Sequence, residues 1–400
     1  MASGISDYSF EILPLIAERA DVDVFCPRPS RLRRVRSPGG VRVRRPQEFD
    51  GLAAGYAAVF YQLGNNPWHR FVYQAAMRLP GVAVFHDFVM HHLIADMCVE
   101  SSYDPSLYES LLRAEYGERG RRLAQLRLDG VATEFEKFVF PLSGHVARAS
   151  RAIVVHNEDS AERMRELAPR LEVTVIPHHA GRPPQAVQGI DRLRARALLG
   201  LPPDAFLVGH FGFITRPKQP GAVLGGFAAL AHTHPTAELI MIGADNTGGG
   251  LQQLMGRLGI DRRVRLAGFV DLCRFYLYLK AVDAVVNLRY PSAGESSGTV
   301  ARALAEGRAT IVNHLGSFAE LPPDVALKVE IDGDQAAQVG EHLVRLADDP
   351  SFRTGIEAKA RAYAATVLDP ARCRDLYVQV AERAMAGEQP LVRPVQAATP

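Results

Sequence analysis

The stretch that decides the fold reads AVVNLRYPSAGESSGTVARALAEGRATIVN and occupies residues 284–313. Its apolar ends, AVVNL and ATIVN, have the length and continuous apolar character of strands buried on both faces of a parallel sheet. Between them, a loop containing a proline and glycines leads into a helical pattern that begins near Ser297. The stretch therefore predicts two parallel strands joined by a helix, which is the repeating unit of α/β proteins.

The same alternation of strand and helix patterns continues in both directions along the chain. The predicted strands are 22–25, 57–62, 81–86, 152–156, 173–177, 206–213, 237–243, 263–269, 284–288, 309–313 and 325–329. Apolar residues at a spacing of three to four lie between most of them, as in helices. Residues 104–149 are rich in helix formers and predict a helical insertion. We therefore expect an α/β fold made of doubly wound units.

A proline-rich stretch at 180–204 predicts the boundary between two such units. We place one domain at 1–185 and a second at 190–368, with further helical patterns up to residue 387. The remaining residues, 388–400, are dense in proline and predict a disordered tail.

Composition excludes several classes of protein. Of the 400 residues, 47% are hydrophobic and 22% are charged, so the chain is neither largely disordered nor collagen-like. The net charge is only +2, which gives no sign of a nucleic-acid partner. Four widely spaced cysteines favour free thiols in a reducing compartment. With no long apolar run and no signal-like start, we expect a cytoplasmic protein.

One segment, 28–46, has an unusual charge. It holds eight arginines: Arg28, Arg31, Arg33, Arg34, Arg36, Arg42, Arg44 and Arg45. Charge runs are most often solvated loops, and we favour that interpretation slightly. The alternative is a docking patch for an anionic membrane surface, which would make the protein peripheral at the inner membrane face.

The helix start after AVVNL is a candidate phosphate site. Backbone N–H groups in the first turn of a helix are free and carry partial positive charge, so Ser297, Gly298 and Thr299 can cradle a phosphate. The alternative is that these residues only cap the helix. Glu295 repels phosphate and is better placed to accept hydrogen bonds from sugar hydroxyls.

Motifs spread over residues 3–330 resemble the family 4 glycosyltransferases, and most closely the bacterial subgroup with a GESSG-type donor loop. The stretches that carry the resemblance are SGISDYS (3–9), YQLGNNPWH (61–69), FHDFVMHH (85–92), HFGFITRPKQP (210–220), LAGFVD (266–271) and residues 295–320.

The resemblance implies the GT-B fold, with two Rossmann-like domains facing across a cleft. Residues 1–185 would bind the acceptor and 190–368 the nucleotide-sugar donor, and a helix at 369–387 would cross back to the first domain. The implied activity is retaining transfer of a sugar to a hydroxyl of a glycan, a lipid-linked acceptor or a small molecule. No metal and no cofactor are expected.

The resemblance also assigns roles to residues. His86, Lys218 and Glu295 would be catalytic. The donor-binding residues would be Gly4, Arg216, Phe269, Val270, Gly294, Ser297, Gly298 and Thr299. Lys218 suits the role because a departing diphosphate develops charge in the transition state. His86 ends an apolar run, at the strand edge where open α/β sheets bind ligands.

The sequence departs from the family pattern in three places. Ala303 stands where many members have a second glutamate for the ribose, and Phe213 follows Gly212 where an arginine is common. The glycine loop begins at Ser3, so the strand that precedes it in the family has no counterpart. We expect the natural start to lie upstream or the chain to be shortened.

Two other functions stay open. A degenerate, non-catalytic GT-B protein acting as a binding or scaffold partner is favoured by these departures and opposed by His86, Lys218 and Glu295. A GT-B-fold nucleotide-sugar epimerase would need acidic catalytic residues that the motifs do not supply. The histidine pairs at 91–92 and 178–179 lack carboxylate or cysteine partners at ligand spacing, so we expect no metal site.

Overall fold

The computed structural model describes residues 4–27, 41–101 and 103–386. Contacts divide the chain into two units. The first unit comprises Met1–His178, Ala293–Ser296 and Pro370–Pro400, and the second comprises His179–Ser292 and Ser297–Asp369. The first unit thus ends before the predicted boundary at 185. It also takes in residues 293–296, which the sequence analysis places in the second domain.

The strands are β1 (Val22–Phe25), β2 (Val41–Arg44), β3 (Phe60–Leu63), β4 (Val82–Phe85), β5 (Ala152–Val155), β6 (Val173–Val175), β7 (Leu207–Phe211), β8 (Glu238–Ile242), β9 (Val264–Gly268), β10 (Ala284–Asn287), β11 (Ala309–Asn313) and β12 (Leu327–Val329). The α-helices are α1 (Gly4–Ile16), α2 (Phe49–Leu52), α3 (Arg70–Arg78), α4 (His91–Ala95), α5 (Pro105–Leu128), α6 (Glu136–Val139), α7 (Gly144–Ala149), α8 (Glu158–Leu167), α9 (Arg192–Leu199), α10 (Pro220–Thr233), α11 (Gly250–Leu258), α12 (Leu272–Ala281), α13 (Gly298–Ala305), α14 (Gln335–Asp348), α15 (Pro350–Val367) and α16 (Pro370–Met385).

The first unit is built around the parallel sheet β3-β4-β5-β6, and β1 pairs with β2 in a sheet of its own. One face of the larger sheet packs against α1 and α16, through a buried cluster that includes Tyr8, Ile12 and Tyr377. The hydroxyls of Tyr8 and Tyr377 lie 2.8 Å apart in this cluster. The opposite face packs against the helices between β3 and β6, so the strands are covered on both sides.

The start of the chain differs from the prediction. The sequence analysis places a glycine-rich loop at 3–9, but Gly4 begins α1, and Ser3 lies outside the described residues. The physical reason is the spacing of apolar residues. Tyr8 and Ile12 are four residues apart, so they lie on one face of a helix and are both buried against the sheet. The loop interpretation is therefore wrong for the residues that the structure describes.

The second unit has the parallel strand order β12-β11-β10-β7-β8-β9. Counted from β9, this is the third, second, first, fourth, fifth and sixth strand of the unit, which is the Rossmann order. Adjacent residues of β7 pack on opposite faces of the sheet. Val208 packs with α10 and α14, and Leu207 packs with α12. The unit is therefore doubly wound, and its strand order reverses between β7 and β10.

Candidate functional site

The loop after β7 holds a buried lysine. Lys218 ends a short 3-10 helix, Arg216–Lys218, and the residue is only 9% exposed. The Nζ atom donates a hydrogen bond of 2.9 Å to the carbonyl oxygen of Phe211, the last residue of β7. Gly212 has φ +87°, and a Cβ there would lie 2.4 Å from Nζ. The glycine therefore lets the ammonium group lie directly against the carboxyl end of the central strand.

The loop after β10 meets the loop after β7. The N–H of Tyr290 donates to the carbonyl oxygen of Pro217 at 2.7 Å. The N–H of Arg289 donates to the Asn313 side chain at 2.5 Å, which ties the loop to β11. Both loops leave the sheet where the strand order reverses, and open α/β sheets bind ligands at that point.

Helix α13 begins in the same region of the second unit. Ser297 caps it, because its Oγ accepts the N–H of Val300 at 3.3 Å. The N–H groups of Gly298 and Thr299 lie in the first turn of the helix, where N–H groups have no carbonyl acceptor within the helix. The Ser297 side chain accepts from Val300 and does not occupy them. The helix start can therefore be capped by Ser297 and still present donors to an anion.

Residues 293–296 are held within the first unit by buried hydrogen bonds. The carbonyl oxygen of Gly294 accepts from Asn157 Nδ2 at 3.1 Å and from Ser160 Oγ at 2.9 Å. The N–H of Val89 donates to the carbonyl oxygen of Ala293 at 2.9 Å. Gly294 has φ +78°, and a Cβ there would lie 2.4 Å from the Phe88 Cβ.

Glu295 is half-buried and turns back on its own loop, where its Oε2 accepts the N–H of Ala293 at 2.7 Å. Its charge also acts on His92. Burial, with Lys137 as a smaller cause, lowers the pKa of His92 to about 4, while Glu295 opposes the shift. The Asn65 amide donates to His92 Nδ1 at 2.7 Å. Glu295 therefore lies near a neutral histidine.

His86 follows the last residue of β4 and is 7% exposed. Both of its ring nitrogens have partners in the first unit. Its Nε2 lies 2.7 Å from Oε1 of Gln62, and its Nδ1 lies 3.1 Å from Nε2 of His156. The ring is therefore fixed in the protein interior before any ligand binds.

The other predicted donor-binding residues have less constrained positions. Phe269 follows β9 and is 67% exposed, and Val270 beside it is half-buried. Arg216 is exposed and starts the 3-10 helix that ends in Lys218. Gly4 is exposed at the start of α1, with open space where a Cβ would lie. The structure thus groups Arg216 with Lys218 on one loop, and assigns Gly294, Glu295 and His86 to the first unit.

The departures from the family pattern also have a structural setting. Ala303 is fully buried and packs with Phe211 in the core, so it does not face the helix start. Its neighbour Arg302 donates through Nη1 to the carbonyl oxygen of Gly298 at 3.3 Å. Arg302 therefore brings a positive charge to the first turn of α13.

Sequence reasoning missed His156, Asn157 and Ser160. These residues follow β5, which pairs with β4 in the register Val84↔Val154. The run AIVVH (152–156) ends on a histidine, as GVAVFH (81–86) does. Because β4 and β5 are parallel neighbours, the two histidines had to end side by side. The signal in the sequence was that both apolar runs end on a histidine.

No family model matches the chain. A D-inositol 3-phosphate glycosyltransferase from Streptomyces avermitilis is 30% identical over 231 residues, which cover 55% of this chain and 49% of that protein. A protein of the same description from Mycobacterium tuberculosis is 31% identical over 228 residues, covering 54% of this chain and 45% of its own length. The chain spans about half the length of the curated relatives it matches.

Solved structures are similar over nearly the whole chain. A sucrose-phosphate synthase from Thermosynechococcus elongatus has a TM-score of 0.66 at 16% identity, with 96% of this chain and 94% of that chain covered. The chain has the GT-B fold. Anabaena HepE in complex with UDP-glucose has the same GT-B fold and a TM-score of 0.61 at 16% identity, with 96% and 97% covered.

Residues 4–27, 41–101 and 103–386 contain no group of three or more His, Cys, Asp or Glu side chains that could hold a metal ion. In the same part of the chain, none of the helices has both the length and the apolar character needed to cross a bilayer.

Proposed function

We propose that the chain is a glycosyltransferase that moves a sugar from a nucleotide-sugar donor to an acceptor hydroxyl. The observation that carries the proposal is the buried Lys218 ammonium group at the carboxyl end of β7. It lies on the loop whose Pro217 carbonyl oxygen accepts the N–H of Tyr290, at the reversal of strand order in the second unit. The relatives described as glycosyltransferases support the same reaction class.

The proposed donor diphosphate is bound in the second unit. Lys218 supplies a full positive charge, and the first turn of α13 supplies N–H donors. Negative charge grows on the diphosphate as the sugar departs, so groups fixed in advance lower the barrier. Arg216 and Arg302 would add charge beside the same elements. That HepE was solved with UDP and with UDP-glucose supports a uridine nucleotide as the first donor to test.

The proposed reaction retains the configuration of the sugar and needs no metal. We assign Glu295 and His86 to hydroxyls of the donor sugar, as the resemblance implies, and leave deprotonation of the acceptor to the departing phosphate. NMR of the first-formed product gives its anomeric configuration. Turnover that is unchanged by a chelator is the result expected of a metal-independent enzyme.

A lipid-linked acceptor at an anionic membrane is the second part of the proposal. Most of the arginine-rich segment, 28–40, lies outside the described residues. Within β2, Arg42 and Arg44 both donate to the carboxylate of Asp23. Burial raises the pKa of Asp23, but hydrogen bonds from Tyr56 and the two arginines outweigh it and lower that pKa to about 2.

Docking therefore depends on the other arginines, because two are partly neutralised by Asp23. Each exposed arginine near an anionic surface contributes about 1 kcal/mol. Electrostatic docking predicts that the protein sediments with anionic vesicles at low salt and is released as salt rises. Equal sedimentation with neutral vesicles would contradict electrostatic docking and favour a soluble acceptor.

The experiment for the activity incubates the full chain with UDP-, GDP- and dTDP-sugars, and follows hydrolysis and transfer by mass spectrometry. Release of the nucleotide diphosphate with a glycosylated product supports the proposal. Interconversion of the nucleotide sugar would indicate an epimerase instead. Thermal stabilisation by a nucleotide sugar without turnover would indicate a binding protein.

A further inference from the structure

A continuous chain of hydrogen bonds passes through His86 in the first unit. It begins at the carbonyl oxygen of Ile176, which lies 2.8 Å from Nδ1 of His156. Nε2 of His156 lies 3.1 Å from Nδ1 of His86, and Nε2 of His86 lies 2.7 Å from Oε1 of Gln62. Three contacts thus link four ring nitrogens between a carbonyl group and an amide.

Counting protons along this chain decides which nitrogens carry them. A carbonyl oxygen only accepts, so Nδ1 of His156 holds a proton and donates to Ile176. A neutral imidazole carries one N–H, which leaves Nε2 of His156 as an acceptor. The contact between the rings then requires the proton of His86 to be on Nδ1. Nε2 of His86 is left as an acceptor that faces Gln62.

The surroundings keep His156 neutral. His156 is 5% exposed, and burial lowers its pKa to about 4. The ring of Tyr8 packs edge-on against His86 at a centroid distance of 4.8 Å, and lies 5.1 Å from the ring of His156. The Gln62 atom nearest to Nε2 of His86 is Oε1, but the oxygen and nitrogen of an amide have nearly the same shape, so a half-turn of the amide presents its NH₂ group instead. With Oε1 toward Nε2 of His86, the two rings would need a third proton between them, which their burial opposes, so we assign the amide the orientation that turns its NH₂ group toward His86.

We propose that His156 is the positioning residue for His86: it holds the one proton of the His86 ring on Nδ1, so that Nε2 accepts a hydrogen bond from a ligand hydroxyl. Gln62 occupies Nε2 in the free protein. It also hydrogen-bonds the hydroxyl of Tyr377, so it keeps a partner when a hydroxyl takes its place on His86. That the hydroxyl belongs to the donor sugar rests on the proposed function.

The test is nitrogen NMR of the full chain labelled with ¹⁵N-histidine, at pH 7.5 and without substrate. Long-range correlations distinguish protonated from bare ring nitrogens, and a His86→Gln sample assigns the signals. We expect His86 to be protonated on Nδ1 and bare on Nε2. Detection of the opposite tautomer, or of a doubly protonated ring, would overturn the proposal.

His91 is an internal control. Its Nδ1 faces the carbonyl oxygen of Phe140 at 2.5 Å, and its Nε2 faces the hydroxyl of Tyr108 at 2.6 Å. The same counting puts its proton on Nδ1. His91 must therefore show that tautomer in every sample, whatever is done to His156.

Two substitutions of His156 separate positioning from packing. His156→Phe keeps the ring beside Tyr8 and removes the acceptor, so His86 should exchange between tautomers. His156→Gln supplies an amide that accepts from His86 and donates to Ile176, and should restore the Nδ1 proton. If both variants keep the His86 tautomer, the assignment to His156 is wrong. If the Phe variant does not fold, His156→Leu, which also removes the acceptor, takes its place.

Kinetics test the ligand part of the proposal. We expect kcat of the Phe variant to fall about tenfold with KM nearly unchanged, and the Gln variant to recover most of it. Equal losses in both variants would overturn the positioning role. A chain that shows the expected tautomer but transfers no sugar would refute the proposed function and the hydroxyl contact, while leaving the proton assignment standing.

Discussion

Replacement of Gly294 by alanine gives the sharpest test of the loop that carries Glu295. Gly294 has φ +78°, and an added Cβ would lie 2.4 Å from the Phe88 Cβ and 3.1 Å from Ser160 Oγ. The left-handed conformation costs an alanine about 1–2 kcal/mol. The contact with Phe88 adds about 1–3 kcal/mol, because a Cβ atom cannot rotate away. We therefore expect Gly294→Ala to lower the free energy of unfolding by about 2–5 kcal/mol.

Gly130→Ala is the matched control. Gly130 belongs to the same unit and has φ +74°, but nothing lies within 4 Å of the position of its Cβ. It should therefore show only the conformational cost of about 1–2 kcal/mol. The difference between the two variants isolates the contact with Phe88.

Urea unfolding of both variants, followed by circular dichroism, measures the difference. We also expect glycosyl transfer to fall in Gly294→Ala and to stay unchanged in Gly130→Ala, because only the first substitution displaces Glu295. Equal losses of stability in the two variants would refute the close packing of Gly294 on Phe88.

The remaining predictions concern charge. Lys218→Met keeps most of the buried stem and removes the ammonium group, so transfer by the folded variant should fall at least ~10²-fold; unchanged turnover would exclude Lys218 from the mechanism. Glu295→Gln should lose less activity than Glu295→Ala if Glu295 binds hydroxyls, whereas equal, complete inactivation by both, with a pH profile that follows a carboxylate, would favour an acid–base role. Burial lowers the pKa of His156 to about 4 and that of His91 to about 3. The unfolded chain therefore binds more protons below about pH 6.5, and stability should fall there by about 1.4 kcal/mol per pH unit for each residue; a flat urea midpoint between pH 7 and pH 5 would contradict this.

Much of the fold could be predicted because buried parallel strands leave a strong local signal. The continuous apolar runs at 284–288 and 309–313 correspond to β10 and β11. The run at 57–62 predicted its strand slightly early, since β3 occupies Phe60–Leu63. The region 104–149 contains α5 and further helices, as its composition predicts. The start of the chain was misjudged because a family motif outweighed the helical spacing of Tyr8 and Ile12.

The candidate site was predicted only where its residues are close in sequence. Lys218 and Ser297 each lie on a loop that directly follows a strand, so position along the chain pointed to them. Asn157 donates a hydrogen bond to Gly294, which is 137 residues away in the sequence, and no local sequence pattern predicts such a contact. The pairing of β4 with β5 is likewise a property of the folded sheet, which is why His156 escaped notice beside His86.

The make-up of the first unit has a consequence for synthesis. Its core includes Ala293, and one sheet face is covered by α16, which ends at Met385. During synthesis, Ala293 and α16 leave the ribosome long after β3 to β6. The second unit draws on one nearly continuous stretch, so it has all its strands earlier. The unit that is translated first is thus the unit that completes its fold last. One face of its sheet stays partly exposed until α16 has been synthesised.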